Sequence, residues 1–177
     1  MDAATLKARQ TPLKEKYRTD PSSALVVSRA EGRLTEGITC TVTSWNGETV
    51  AGLHSAAGGD GSRACSADML LQALVACAGV TLNSVATHMG VRLDDAVIEA
   101  EGKWDARGTL GVSRDVPVGL TEISLSFRLE PEPEPKTRDK LIELAERYCV
   151  IFHTLKNGTE IEVRPPAPDV QPSATTA

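Results

Sequence analysis

The residue type in this chain best suited to chemistry is cysteine, and the 177 residues contain four: Cys40, Cys65, Cys77 and Cys149. They are widely separated and form no CxxC pair, so their spacing predicts neither a zinc finger nor a disulfide scaffold. Cys77 differs from the other three because no charged residue occurs from position 69 to position 87 around it. A thiol in such a place is either a small buried hydrophobe or a functional group.

A reactive Cys77 would need help from another part of the chain. The thiolate is the nucleophile, and a free thiol with a pKa near 8.5 is only about 3% ionised at neutral pH. Burial raises the pKa of a thiol, and the dipole of its own helix acts only within the first turn. If Cys77 is reactive, we therefore expect a cation, in particular an arginine, to approach it.

Histidine is the second residue type to consider, because His54, His88 and His153 together with the cysteines raise the question of a zinc site. No pair has the spacing of a zinc finger. Cys77 and His88 would share a helix face but lie about 16 Å apart, while Cys149 and His153 could touch. One such pair does not make a metal site, so we predict no metal and no other cofactor.

The element that must position Cys77 is predicted to be one helix over residues 66–89, with Ser66 as its N-cap and Asp68 in its first turn. Its 19 uncharged residues, roughly 28 Å of helix, would suffice to cross a membrane. Polar side chains interrupt this stretch, however, and its flanks carry no basic anchors or aromatic belt. We expect a helix buried on nearly every side, either between sheets or against a partner subunit.

Strands are predicted on both sides of this helix from period-two alternation, and Asn46-Gly47 is typical of a hairpin turn. The predicted strands cover residues 24–30, 38–45, 49–54, 91–104, 119–130 and 159–163. Further helices are expected within residues 1–22 and after a hinge formed by the PEPEP run at 131–135. This order favours an α+β fold with antiparallel sheets over a doubly wound parallel sheet.

The organisation of the chain follows from these elements. We predict an N-terminal arm over residues 1–22, one domain over residues 23–164, and a disordered tail over residues 165–177. The net charge of −5 and the absence of a Lys/Arg run disfavour nucleic acid and anionic membrane surfaces as partners. The first residues are charged and lack the apolar segment of a secretory signal, so we expect a cytoplasmic protein with mostly reduced cysteines.

Two segments resemble the signatures of the OsmC/Ohr family of thiol-dependent hydroperoxide reductases. GGDGSRACSADMLLQALVACAGVTLNSVATHMG resembles the glycine-rich loop and long helix that carry the family's peroxidatic cysteine. ERYCVIFHTLKNGTEIEV resembles the second signature, in which another cysteine opens a short helix and a final strand follows. The resemblance covers roughly residues 24–164, with the two cysteines 72 positions apart in the family order.

The resemblance implies an OsmC-like fold, an intertwined homodimer, and a peroxidase cycle. Cys77 would attack an organic hydroperoxide and become a sulfenic acid, and Cys149 would condense with it to a disulfide. A small dithiol or a dithiol protein would then restore both thiols. Arg33 is the best match to the family's activating arginine, with Arg29 as an alternative.

One departure from the family pattern leaves the activity open. The family's peroxidases carry a glutamate ten residues before the reactive cysteine, where this chain has Ala67. Asp68 could substitute by orienting an arginine or by acting across the dimer, although it would lie about 13 Å from Cys77 on the opposite side of the helix. The alternative function is an OsmC-like binding or stress-related protein that holds a hydrophobic small molecule and has little peroxidase activity.

Overall fold

The structure is a computed structural model that describes residues 1–44 and 47–165. The predicted Asn46-Gly47 turn depends on Asn46, which lies outside the described residues, as do residues 166–177 and with them most of the predicted tail. Within the described part, the α-helices are Ala3–Thr19 (α1), Ser66–Met89 (α2), Ala106–Thr109 (α3), Pro135–Tyr148 (α4) and Val150–Asn157 (α5). The strands are Glu31–Thr35 (β1), Thr39–Ser44 (β2), Gly47–Gly52 (β3), Asp95–Trp104 (β4) and Leu120–Glu130 (β5).

The first sheet has the order β1-β2-β3, and both of its pairings are antiparallel. An isolated parallel bridge between Ala51 and Ala64 ties β3 to the segment that leads into α2. The loop between them needs glycine, because a Cβ on Gly59 would lie 1.7 Å from the carbonyl oxygen of Leu53. The glycine-rich segment is therefore a compact turn that delivers the chain to the start of α2.

The second sheet is the antiparallel pair β4-β5, in which Ile98 lies opposite Phe127 and Ala100 opposite Leu125. Alternate residues of β5 are at least half-buried, as the alternation of the sequence predicted. This apolar face packs against α2, and α4 and α5 pack against α2 as well. The α+β class with antiparallel pairing is confirmed.

Helix α2 has two different faces in the single chain. Its buried side chains are Leu74, Ala78, Leu82, Val85 and Ala86. The opposite face is also uncharged but exposed, with Val80 73% accessible. The single chain thus buries only one side of α2, whereas the sequence predicted a helix buried on nearly every side. Among the described helices, α2 alone is long and apolar enough to cross a membrane by length and composition, while its packing against β4, α4 and α5 gives it the place of a core helix.

Two predicted strands are wrong in this structure. Ala24 is the last residue of a short 3₁₀ helix, Pro21–Ala24, residues 25–30 are irregular, and β1 begins only at Glu31. Residues 159–163 are irregular, with Ile161 and Val163 highly exposed. A strand needs a neighbour for its backbone hydrogen bonds, and neither segment has one within the described part of the chain.

Smaller corrections concern helix ends. The N-cap of α2 is Cys65 and not Ser66, which is the first helical residue. Pro135, predicted to belong to the hinge, opens α4 at a position where its missing N–H costs nothing. The connection after β4 contains the short α3, capped by Asp105, whose carboxylate accepts a hydrogen bond from the backbone N–H of Arg107.

The packing of α4 on α2 can be tested at Leu141, which is 0% exposed in the larger core cluster. Leu141→Ala should lower the free energy of unfolding by about 2–5 kcal/mol, because it leaves a cavity. Leu110→Ala, at a side chain that is 55% exposed, should change it by less than about 0.5 kcal/mol. Urea denaturation at one fixed protein concentration measures both, and equal losses would contradict the packing described here.

Candidate active site around Cys77 and Cys149

The two cysteines that the sequence singled out lie together where α2 meets α5. Cys77 is half-buried in the middle of α2, and Cys149 is 1% exposed. Both belong to the apolar cluster that joins α2 to α5 and the β4-β5 sheet. Two residues far apart in sequence are thus brought into contact by helix packing.

Cys149 holds a special position because it separates two helices. Helix α4 ends at Tyr148, Cys149 has an extended backbone, and α5 starts at Val150. The Cys149 Sγ accepts a hydrogen bond from the backbone N–H of Phe152 at 3.4 Å, so this thiol is the N-cap of α5. Unlike Cys65, which is the N-cap of α2 without a side-chain hydrogen bond, Cys149 caps its helix through its sulfur.

The start of α5 faces the Cys77 sulfur. Burial raises the pKa of Cys77, but hydrogen bonds from the Ile151 N–H, the Cys149 thiol, the Val150 N–H and the Thr81 hydroxyl together outweigh it. The net effect is to lower the pKa of Cys77 below that of an ordinary thiol. The first N–H groups of a helix have no partner within the helix and carry partial positive charge, so they can stabilise a thiolate.

The pKa of Cys149 is displaced in the opposite direction. Burial raises it, the backbone N–H of Phe152 lowers it, and the hydrogen bond and charge of Cys77 raise it further. The net effect is to raise the pKa of Cys149 above that of an ordinary thiol. The opposite directions of the two pKa values make Cys77 the thiol that ionises first, with the Cys149 thiol as its hydrogen-bond donor.

The surroundings of the two sulfurs are apolar. Cys149 forms a buried cluster with Leu74 and Ala78, and the partly buried residues packed against it are, besides Cys77, Ile98, Ala100, Ile123, Leu125, Phe127, Ile151, Phe152 and Leu155. A groove of about 460 Å³ shares Leu74, Leu125 and Phe152 with this cluster. Its charged groups are Glu122, Glu146 and Lys156. The groove is large enough for a small organic molecule, and the apolar residues that it shares with the cluster connect it to the surroundings of the thiols.

Comparison with known proteins identifies the family of this chain. The family model described as OsmC-like protein matches residues 59–164, a range that contains both cysteines. This chain belongs to the OsmC-like protein family.

Solved structures share the fold of this OsmC-like protein at low sequence identity. An organic hydroperoxide resistance protein OsmC from Legionella pneumophila is 16% identical, with a TM-score of 0.61 over 75% of this chain and 91% of its own. One from Elizabethkingia anophelis is 20% identical, with a TM-score of 0.61 over 76% and 91%. OhrB of Bacillus subtilis is 18% identical, with a TM-score of 0.58 over 76% and 94%. No curated protein sequence matches the chain significantly.

The other residues predicted for the site of this OsmC-like protein lie elsewhere in the single chain. Arg33 is exposed on β1 and forms an ion pair with Glu31, while Arg29 is exposed just before β1. Asp68 is exposed in the first turn of α2, next to Ala67. Among the described residues, neither arginine forms a hydrogen bond or an ion pair with Cys77, so their roles stay predictions.

The donors at the start of α5 are the part of the site that sequence reasoning missed. From the sequence, only the dipole of the helix that carries Cys77 and an approaching cation were expected to affect its ionisation. The available signal was the pattern at Cys149, where the end of one helix meets the start of another. A helix beginning at a cysteine places free N–H groups beside that sulfur, and beside any thiol that packs against it.

The remaining cysteines and histidines have ordinary environments. Cys40 on β2 and Cys65 before α2 are half-buried and unpaired. His54 packs edge-on against the Trp104 ring, and a His88 ring nitrogen lies 3.2 Å from the Ser84 carbonyl oxygen. A ring nitrogen of His153 similarly contacts the carbonyl oxygen of Arg147. Within the described ranges, no group of three or more metal-ligating side chains is arranged to hold an ion.

The hydrogen bond between the two thiols can be tested by the pH dependence of Cys77 alkylation with iodoacetamide. In a Cys40→Ser, Cys65→Ser background, the rate should rise at lower pH than for an ordinary thiol, because a lowered pKa makes the reactive thiolate abundant earlier. Adding Cys149→Ala removes a donor and should move this rise to higher pH.

The matched control is Cys149→Ser, which keeps a hydroxyl donor and a good N-cap for α5. Its pH profile should stay close to that of the parent protein. An unchanged profile in the Cys149→Ala protein would show that the thiol at position 149 does not act on Cys77.

Proposed function

We propose that this protein is a thiol-dependent peroxidase that reduces organic hydroperoxides through a Cys77 sulfenate and a Cys77–Cys149 disulfide. One observation carries the proposal: a half-buried thiol of lowered pKa contacts a second, buried thiol of raised pKa at the start of α5. Membership of the OsmC-like family and fold similarity to proteins named organic hydroperoxide resistance proteins support it.

The first step consumes the hydroperoxide. The Cys77 thiolate attacks one oxygen of the O–O bond, the bond breaks, and the other oxygen leaves as the alcohol after taking a proton from solvent. Sulfur is oxidised to the sulfenic acid and the hydroperoxide is reduced by two electrons. The N–H groups of Val150 and Ile151 hold the reacting sulfur ionised and fixed in direction.

The second step uses Cys149 as the resolving thiol. Its sulfur attacks the Cys77 sulfenic acid, a disulfide forms, and the sulfenic oxygen leaves as water with the Cys149 proton and one proton from solvent or from the sulfenic acid itself. An external dithiol, small or protein-bound, then reduces the disulfide and becomes oxidised in turn. Such a cycle fits the reducing cytoplasm, which is the location we propose.

The apolar walls around the thiols favour an organic hydroperoxide over hydrogen peroxide as the substrate. Leu74, Leu125 and Phe152 supply apolar surface that an alkyl or aromatic group can cover, whereas hydrogen peroxide has no such group. Binding energy gained there holds the O–O bond near Cys77.

The second candidate is an OsmC-like protein that binds a hydrophobic small molecule and turns over little peroxide. Two observations favour it: Ala67 stands where family peroxidases carry a glutamate, and Arg33 pairs with Glu31 on the exposed β1. If the protein is a peroxidase, the N–H groups at the start of α5 would have to activate Cys77 in place of the family's glutamate and arginine. Turnover measurements separate the two candidates.

The peroxidase assay uses cumene hydroperoxide or tert-butyl hydroperoxide with dithiothreitol as the reductant. Wild-type protein should turn over, and Cys77→Ser should fall to the background rate because the nucleophile is gone. Cys149→Ser should lose the disulfide and accumulate the sulfenic acid, which a dimedone adduct reports. Cys65→Ser is the control and should keep wild-type activity.

Mass spectrometry after one equivalent of hydroperoxide should find a Cys77–Cys149 disulfide in the wild-type protein. A bond of this kind requires Cα atoms within about 7 Å. Full turnover by the Cys77→Ser protein would refute the peroxidase, and tight binding of an apolar ligand without turnover would favour the second candidate.

We also propose that the protein works as a homodimer in which α2 packs against a partner subunit. The exposed apolar stripe on α2, formed by Ala73, Ala76 and Val80, supports this, since such a surface on a central helix calls for a cover. The unpaired segments around Val26 and Ile161 are highly exposed apolar chain that a second copy could pair.

Size-exclusion chromatography with light scattering should give the mass of a dimer, twice 18.8 kDa. Val80→Glu should shift the protein to the monomer, because the substitution places a charge in the interface. Val112→Glu is the matched control, since Val112 is 69% exposed and Val80 is 73% exposed. A wild-type monomer, or a dimer unaffected by Val80→Glu, would contradict this interface.

A further inference from the structure

The hydroxyl of Thr81 lies one helical turn beyond Cys77. Residues four apart on a helix are neighbours on one face, and the Thr81 Oγ1 donates a hydrogen bond to the Cys77 carbonyl oxygen at 2.7 Å. Both side chains are half-buried. A hydroxyl bonded to the carbonyl four residues earlier is common in helices and would by itself be purely structural.

Thr81 differs from a purely structural threonine because it belongs to the group of residues that lower the pKa of Cys77. The Cys149 thiol, the Val150 N–H and the Ile151 N–H all come from the junction of α4 and α5. Among the described groups that lower the pKa of Cys77, the Thr81 hydroxyl is the one carried by α2 itself. It therefore keeps its place relative to Cys77 if α5 shifts, and it remains a donor after Cys149 has given up its thiol proton.

We propose that Thr81 is a positioning residue whose hydroxyl turns from the Cys77 carbonyl oxygen to the Cys77 sulfur when that sulfur is ionised. The hydroxyl has one proton and two acceptors within reach. A thiolate is a stronger acceptor than a carbonyl because it is charged, whereas a neutral thiol is a weaker one. The carbonyl is not left unsatisfied, because it also accepts the backbone N–H four residues on in the helix.

The consequence is a bond that the thiolate gains and the thiol does not. Thr81 neither gains nor loses a proton, and it acts only through the population and direction of the ionised sulfur. This role rests on the proposed function for its place in the peroxidase cycle, but its effect on Cys77 ionisation exists without any peroxide. The Thr81 hydroxyl is also a hydrogen-bond donor on α2, the helix in which this chain has Ala67 in place of the family glutamate.

The test compares three variants in the Cys40→Ser, Cys65→Ser background by the rate and pH profile of Cys77 alkylation. Thr81→Val removes the hydroxyl but keeps the shape, and it should lower the rate at pH 7 by about three- to tenfold and move the profile to higher pH. Thr81→Ser restores the hydroxyl and should return the rate to within about twofold of the parent.

Thr87→Val is the matched control, since Thr87 is also half-buried on α2 but lies almost three turns from Cys77. It should leave the profile unchanged. If Thr81→Val alkylates as fast as the parent, or if Thr81→Ser fails to restore the rate in a protein with unchanged thermal unfolding, the role of Thr81 is wrong.

Peroxide turnover is measured separately on the same proteins. If Cys77 of Thr81→Val is alkylated slowly but no protein turns over peroxide, the role of Thr81 in Cys77 ionisation is supported and the peroxidase function is wrong. If Cys77 of Thr81→Val is alkylated at the parent rate and the parent turns over peroxide fully, the peroxidase function is supported and the role of Thr81 is wrong.

Discussion

The contact between the start of α5 and the middle of α2 is the interaction on which this site depends. It exists because α4 ends at Tyr148 and the chain turns at Cys149, so that α5 begins with free N–H groups directed at Cys77. The anchor of this geometry is the packing of Leu141 and Ala145 against α2. A shift of α4 would carry the donors of α5 away from the thiolate, which ties the chemistry of the site to the core.

The same helix has to serve two surfaces. One face of α2 completes the core of its own chain, and the other presents uncharged, exposed side chains such as Val80. Packing within the single chain therefore explains the apolar side chains on the buried face of α2, but not those on its exposed face. The proposed partner subunit would account for the remainder.

Much of the fold could be predicted because strong local patterns control it. Strands β2 and β5 follow clean period-two alternation, and α2 follows a long uncharged run closed by Gly90, whose left-handed backbone ends the helix. The segments at 24–30 and 159–163 failed for a physical reason. Their composition favours strands, but a strand forms only where a neighbour can take its hydrogen bonds, and local sequence carries no information about that neighbour.

The sequence by itself determined that the chemistry, if any, centres on Cys77, and through the family resemblance it paired Cys77 with Cys149. Residue types and spacing suffice for that, because an uncharged helix around a thiol is visible in the chain. Only the tertiary structure decided which groups lower the pKa of Cys77. The donors are backbone N–H groups, which every residue has, and their effect arises from the direction in which α5 begins and from what packs against it.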